Sequence, residues 1–262
     1  MSFAPSAGQP ASTVIHTDTK GLDHGEIALP VKDGTIAAYY AAPSGQTNLP
    51  IVVVIQEIFG VHEHIKDICR RLAKEGYLAI AAELYQRQGD PRKCADIPSI
   101  ISEVVSKVPD EQVYSDLDAC VAWAAQHNGD ASRVGVTGFC WGARLVWMYA
   151  AHSPTVKAAV AWYGKVATGH GPLIKEMVVD VAAHTNAPVL GLYGAKDASI
   201  PVETLETLRT KLVDGNEAAR ASEIVIYPEA DHGFLADYRP MYRPAEARDA
   251  WQRMLNWFDK YL

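Results

Sequence analysis

The segment "VGVTGFCWGARLVWMYAA", Val134 to Ala151, passes from a β-branched run into an apolar helical pattern with no loop between them. Arg133 to Thr137 reads as a strand, and Ala143 to Ala151 carries apolar residues at helical spacing with no proline before Pro154. A chain that turns this sharply forces the central residue, Cys140, into a strained backbone conformation with its side chain projecting from the sheet edge. Small residues are needed two positions away on either side, and Gly138 and Gly142 stand there. The pattern Gly-x-Cys-x-Gly is that of a nucleophile elbow with sulfur in place of oxygen. At a helix N-terminus the free amides and the positive end of the dipole favour a thiolate, the form that attacks carbonyl carbon. A buried structural cysteine after a strand-to-helix turn is the alternative reading of these residues alone.

Around this turn the chain alternates. "GEIALPVKDGTIAAYYAAP" reads as an antiparallel hairpin about Asp33-Gly34, and the apolar run Ile51 to Ile55 suits a central strand covered on both faces. Helix is expected over 64–75, 113–127, 143–152, 202–213 and 245–261, and strand over 77–82, 133–137, 156–163, 188–193 and 223–227. Such alternation predicts a doubly wound sheet, mostly parallel, with the hairpin adding antiparallel strands at one edge. The 262 residues are 48% hydrophobic, enough for one large α/β domain, taken here as residues 23–262 behind a flexible arm at residues 1–22.

In a parallel sheet, ligands bind beyond the carboxyl ends of the strands. Polar residues just after predicted strands are Glu57, Glu83, Cys140, Tyr163, Asp197 and His232. Cys140, Asp197 and His232 follow one another in the order nucleophile, acid, histidine, with one strand and helix between successive members. A histidine can accept the thiol proton and return it to the leaving group, while a carboxylate fixes the imidazole tautomer. The four cysteines form no C-x-x-C pair and are expected to be reduced thiols.

With "QEIFGVHEHIKDICRRLAKEGYLAIAAELYQRQG", "VGVTGFCWGAR", "LGLYGAKDASIP" and "YPEADHGF", the chain resembles the dienelactone hydrolase family, the cysteine-dependent branch of the α/β-hydrolases. The likeness runs from about Ile51 to the C-terminus. It implies hydrolysis of an ester or lactone through a Cys140–His232–Asp197 triad and a thioester. It further implies that Glu57 takes part in activating the cysteine when substrate binds. The backbone N–H groups of Ile58 and Trp141 would form the oxyanion hole, Arg87 would hold a substrate carboxylate, and Tyr85 would be a pocket wall. One position departs from the pattern. The family's second carboxylate-binding arginine lies four residues after the histidine, where this chain has Ala236, and Arg239 follows three residues later. A pocket with Arg87 alone would be less selective for anions, so neutral short esters or lactones are expected as substrates beside carboxylate-bearing ones.

Other functions fit less well. Net charge is −7 with no basic cluster interleaved with aromatics, which points away from nucleic acid. His62 and His64 have a spacing that could suggest metal but no third ligand nearby, and no phosphate-binding glycine loop occurs, so no cofactor is expected. The N-terminal residues lack a charged and then apolar signal pattern, and a cytoplasmic protein without membrane segments is expected. The rival from another class is a catalytically silent α/β-hydrolase-fold protein that uses Cys140 as a redox-sensitive thiol or the fold as an interaction module. A sensor thiol needs no ordered acid and base, and this chain carries both.

Overall fold

A computed structural model describes residues 8 and 10–262. Its strands are β1 (Leu22–Val31), β2 (Gly34–Pro43), β3 (Leu49–Ile55), β4 (Leu78–Ala82), β5 (Gly129–Phe139), β6 (Val156–Trp162), β7 (Val189–Gly194) and β8 (Glu223–Tyr227). Its helices are α1 (Glu63–Lys74), α2 (Ile97–Glu103), α3 (Asp110–Gln126), α4 (Trp141–His152), α5 (Val178–Val181), α6 (Val202–Val213), α7 (Glu217–Arg220) and α8 (Pro244–Tyr261). The strands make one eight-stranded sheet in the order β1-β2-β4-β3-β5-β6-β7-β8. β2 pairs antiparallel with both β1 and β4, and every pairing from β4 to β8 is parallel. This is the mostly parallel sheet that the alternating pattern predicts, with the hairpin at one edge, and the α/β-hydrolase arrangement that the family resemblance implies.

The apolar run of β3 sits between β4 and β5, and Ile51, Val52, Val53, Val54 and Ile55 are all 1% exposed or less. Burying each such side chain stabilises the fold by about 1.5–3 kcal/mol, which explains a strand with no polar face. Helix α1 packs on β2 and β4, α3 on β5, α4 on β5 and β6, and α8 on β6 and β7. Because β3, β5, β6, β7 and β8 run parallel, the residues that follow them gather at one edge.

Helices α2, α5 and α7 lie where no element was expected, and β5 begins at Gly129 rather than Arg133. Helix α2 carries a local signal: Asp96 caps it by accepting from Ser99 N at 2.8 Å, with Pro98 in the first turn. The N-terminal arm is expected over residues 1–22. Its residues 1–7 and 9 lie outside the described residues, and Leu22 already belongs to β1. Further along, Ala11 N donates to Tyr238 O at 2.9 Å, Thr13 Oγ1 to Asp237 O at 2.5 Å, and Thr17 N to Asp67 Oδ1 at 2.7 Å. Amides and threonine hydroxyls of the arm thus find acceptors on the body.

Close approach of α4 to the end of β3 dictates the two glycines of the turn. A Cβ on Gly142 would lie 2.4 Å from Gln56 O and 2.7 Å from Ile55 O. One on Gly138 would lie 2.8 Å from Ile55 Cβ and 2.9 Å from Gly142 O. The obstructing atoms at Gly142 are backbone and cannot rotate away. Gly142→Ala is therefore expected to destabilise the protein by about 1–3 kcal/mol in urea unfolding, with the slope of the transition unchanged. An unaltered midpoint would contradict this account of the turn.

Candidate active site

Cys140 has φ 55° and ψ −115° and caps the N-terminus of α4. Such a conformation costs a non-glycine residue about 1–3 kcal/mol. Cys140 N donates to Trp162 O at 3.0 Å, so the strained residue is tied to the neighbouring strand. The side chain opens into a cavity of about 220 Å³ lined also by Glu57, Ile58, Trp141, His232 and Arg239.

Asp197 follows β7 and His232 follows β8. His232 Nδ1 meets Asp197 Oδ2 at 2.6 Å, while Asp197 Oδ1 accepts from Ser199 N at 2.8 Å and Ser199 Oγ at 2.6 Å. Burial opposes the charge on Asp197, but the bonds from His232 and Ser199 outweigh it and hold the carboxyl below its ordinary value. Burial likewise opposes a charged His232; attraction to Cys140 and Asp197, together with the hydrogen bond to Asp197, raises it to about 10. The neighbouring Asp231 uses its carboxylate on the His232 backbone N–H instead.

Glu57 is 2% exposed, and its Oε2 accepts from Tyr238 Oη at 2.6 Å and meets His62 Nε2 at 3.2 Å. Burial works against its charge, and the interactions with His62, His64 and Tyr238 more than offset this, holding the carboxyl at about 2. Burial pushes His62 below its ordinary value, against the hydrogen bond and attraction to Glu57, which raise it. Among the described residues Glu57 makes no hydrogen bond to Cys140. His64 Nδ1, in turn, meets Asp237 Oδ1 at 3.2 Å. The histidines that suggested a metal thus pair with carboxylates, one each.

Ile58 and Trp141 both line the cavity. Residues 36–262 match the model of the family described as "Dienelactone hydrolase family". The chain belongs to the dienelactone hydrolase family. It is 55% identical over 260 residues, 99% of this chain and 95% of the relative, to a Salmonella typhimurium protein named "Putative carboxymethylenebutenolidase". A Bradyrhizobium protein named "Probable 2-oxo-3-(5-oxofuran-2-ylidene)propanoate lactonase" is 31% identical over 83% of this chain and 86% of that one. Among solved structures, a protein titled "Putative Dienelactone Hydrolase" from Klebsiella pneumoniae superposes with a TM-score of 0.87 at 58% identity, over 92% of this chain and 99% of that one. The chain is thus a carboxymethylenebutenolidase-like hydrolase.

Against the dienelactone hydrolase pattern, two expected substrate contacts are displaced. Arg87 does not line the cavity. Its guanidinium is bound to Asp33 in the hairpin turn, with Nε–Oδ2 at 2.7 Å, and to Asp116 on α3, with Nη1–Oδ2 at 2.8 Å. Those two carboxylates draw it away from Cys140. Tyr85 is fully buried behind the wall, its ring 4.7 Å from that of Trp141. Ala236 is buried and away from the cavity, whereas Arg239 lines it, its guanidinium 5.5 Å from the Phe59 ring centroid. Arg239 Nε and Tyr163 Oη are buried without a hydrogen-bond partner, and Tyr163, at φ 45°, is a cavity residue too. Ile97 and Ile101 of α2 form an apolar wall that the sequence reading, lacking α2, did not include.

Thiol environments differ sharply. Cys69 and Cys120 are fully buried, and burial pushes both thiols well up; burial also raises Cys94, which is partly exposed. Iodoacetamide is expected to alkylate Cys140 first, Cys94 later, and Cys69 and Cys120 only after unfolding. Peptide mass analysis of a time course checks the order, and early labelling of Cys69 or Cys120 would contradict it.

Proposed function

We propose that the protein hydrolyses an ester or lactone through a Cys140–His232–Asp197 triad and a Cys140 thioester. The observation that carries this reading is the 2.6 Å Asp197–His232 contact beside a cysteine held at φ 55° in the same cavity. His232 takes the Cys140 thiol proton, and Asp197 fixes the imidazole and stabilises the imidazolium. The thiolate attacks the carbonyl carbon, and the resulting oxyanion accepts hydrogen bonds from Ile58 N–H and Trp141 N–H. The carbon–oxygen bond then breaks as His232 returns its proton to the leaving alkoxide. Water, deprotonated by His232, attacks the thioester, and the carbon–sulfur bond breaks to release the acid. Glu57, which lines the same cavity as Cys140, takes part in activating the cysteine when substrate binds.

The substrate is best read as carrying an acidic group. Arg239 and Tyr163 both line the cavity, and Arg239 Nε and Tyr163 Oη are buried without a hydrogen-bond partner; a buried donor left unpaired costs about 1–3 kcal/mol. A substrate carboxylate supplies the acceptor to both. The Bradyrhizobium relative is named for a lactone that bears a propanoate, which supports the same class. This reading replaces Arg87 with Arg239 as the carboxylate partner, and with it the expectation of reduced anion selectivity.

Hydrolysis of 4-nitrophenyl acetate and of a carboxylate-bearing dienelactone tests both parts. Cys140→Ala should abolish turnover of each with the fold intact. Asp197→Asn should lower kcat by about 10²-fold or more, and Asp231→Asn should leave it within about twofold. Near-normal turnover by Cys140→Ala, or a silent Asp197→Asn beside a crippled Asp231→Asn, would refute the triad. Arg239→Ala should lower kcat/KM for the anionic lactone by about tenfold or more while sparing the neutral ester. Equal losses on both substrates would remove Arg239 from carboxylate recognition.

A further inference from the structure

The turn that carries Glu57 and Ile58 is short and is held from behind by one carboxylate. Gly60 N donates to Glu57 O at 3.3 Å and His62 N to Gly60 O at 3.0 Å, closing residues 57–62 into a tight loop after β3. Val61 N donates to both oxygens of Glu83, at 3.2 Å each. Gln56, fully buried, places its amide nitrogen 3.2 Å from Glu83 Oε1 and 3.1 Å from Ala82 O when the amide is oriented to satisfy its neighbours. Glu83 therefore receives donors from both ends of the segment that contains Glu57 and Ile58. Its own backbone is pinned by Glu83 N donating to Ala37 O at 2.8 Å.

Glu83 also shapes the turn by contact. Gly60 has φ 80°, and a Cβ there would lie 2.5 Å from Glu83 Oε1. The left-handed glycine and the carboxylate fit together. Nearby cations are committed elsewhere: Lys66 pairs with Glu26 at 2.5 Å and Arg92 with Asp90 at 2.7 Å. Burial raises the Glu83 carboxyl above its ordinary value. A half-buried carboxylate without a salt bridge is an expensive way to stabilise a loop, which points to a need for the loop's exact shape.

We propose that Glu83 is a positioning residue for hydrolysis: it fixes the 56–61 turn so that Ile58 N–H points at the developing oxyanion. The proposal rests on the oxyanion role assigned above to Ile58. Removing the clamp leaves Cys140, His232 and Asp197 in place but lets the Ile58 amide wander. Losing one well-aimed oxyanion donor costs about 10²–10³-fold in kcat. Alkylation by iodoacetamide forms no oxyanion and is indifferent to that donor.

Glu83→Ala is expected to lower kcat for 4-nitrophenyl acetate by about 10²-fold with KM within about threefold. The rate of Cys140 alkylation by iodoacetamide should stay within about twofold of wild type. Glu83→Gln keeps an acceptor for Val61 N–H and should recover at least about tenfold of the lost kcat. Hydrogen exchange of the peptide spanning 56–61 should quicken in Glu83→Ala and be partly restored in Glu83→Gln. This last readout needs no turnover. Faster exchange beside a wild type that hydrolyses no ester would sink the hydrolase reading and keep the clamp. Wild-type exchange in Glu83→Ala would overturn the clamp, as would alkylation falling in step with hydrolysis.

Discussion

The left-handed backbone of Cys140 is the constraint around which the rest is arranged. An L-residue at φ 55° is unfavourable by about 1–3 kcal/mol, and it persists because surrounding structure leaves it no alternative. Cys140 N is taken by Trp162 O on β6, and the start of α4 presses on the carbonyls of Ile55 and Gln56 at the end of β3. Three adjacent strands therefore hold one residue. Their reward is geometric: Cys140 stands at a helix N-terminus and opens into the cavity that Trp141 and Ile58 also line.

A second tier of the structure manages buried charge. Glu57 would be costly at 2% exposure without its donors, and both donors are themselves secured. Tyr238 is bonded through its carbonyl to Ala11, and His64, stacked 6.1 Å from His62, reaches Asp237. Asp237 pairs with Arg71, Arg71 with Asp67, and Asp67 accepts from Thr17 at 2.7 Å. The N-terminal segment is thus linked through hydrogen bonds of Tyr238 to the Glu57 carboxylate in the cavity. These contacts tie the position of Glu57 to residues far away in sequence.

What the sequence discloses depends on how local the signal is. The elbow is legible because its causes lie within five residues: a strand, two glycines and a helix start. Asp197 and His232 are legible because strand order places both at the sheet edge that carries Cys140. Helix α2 escapes notice because its seven residues are too few to show a period, although Asp96 and Pro98 mark its start. Arg87 is misplaced for a different reason. Asp33 reads as a turn residue and Asp116 as one polar position on a helix, and nothing local says that they converge on one guanidinium. Arg239 and Tyr163 are conspicuous only once the cavity is known, since an unpaired donor has no sequence signature. Glu83 stands out in sequence merely as a polar residue after a strand; its clamp on the 56–61 turn emerges from three-dimensional contacts.

Covalent catalysis by Cys140 is the claim on which the functional account turns. Rapid acid quench of the protein mixed with excess 4-nitrophenyl acetate, followed by peptide mass analysis, observes the intermediate directly. The account predicts one acetyl group on the peptide containing Cys140, appearing within the first turnover and lost on hydroxylamine treatment as a thioester is. Acetyl on another residue, or nitrophenol release with no acylated Cys140 at any time point, would contradict it.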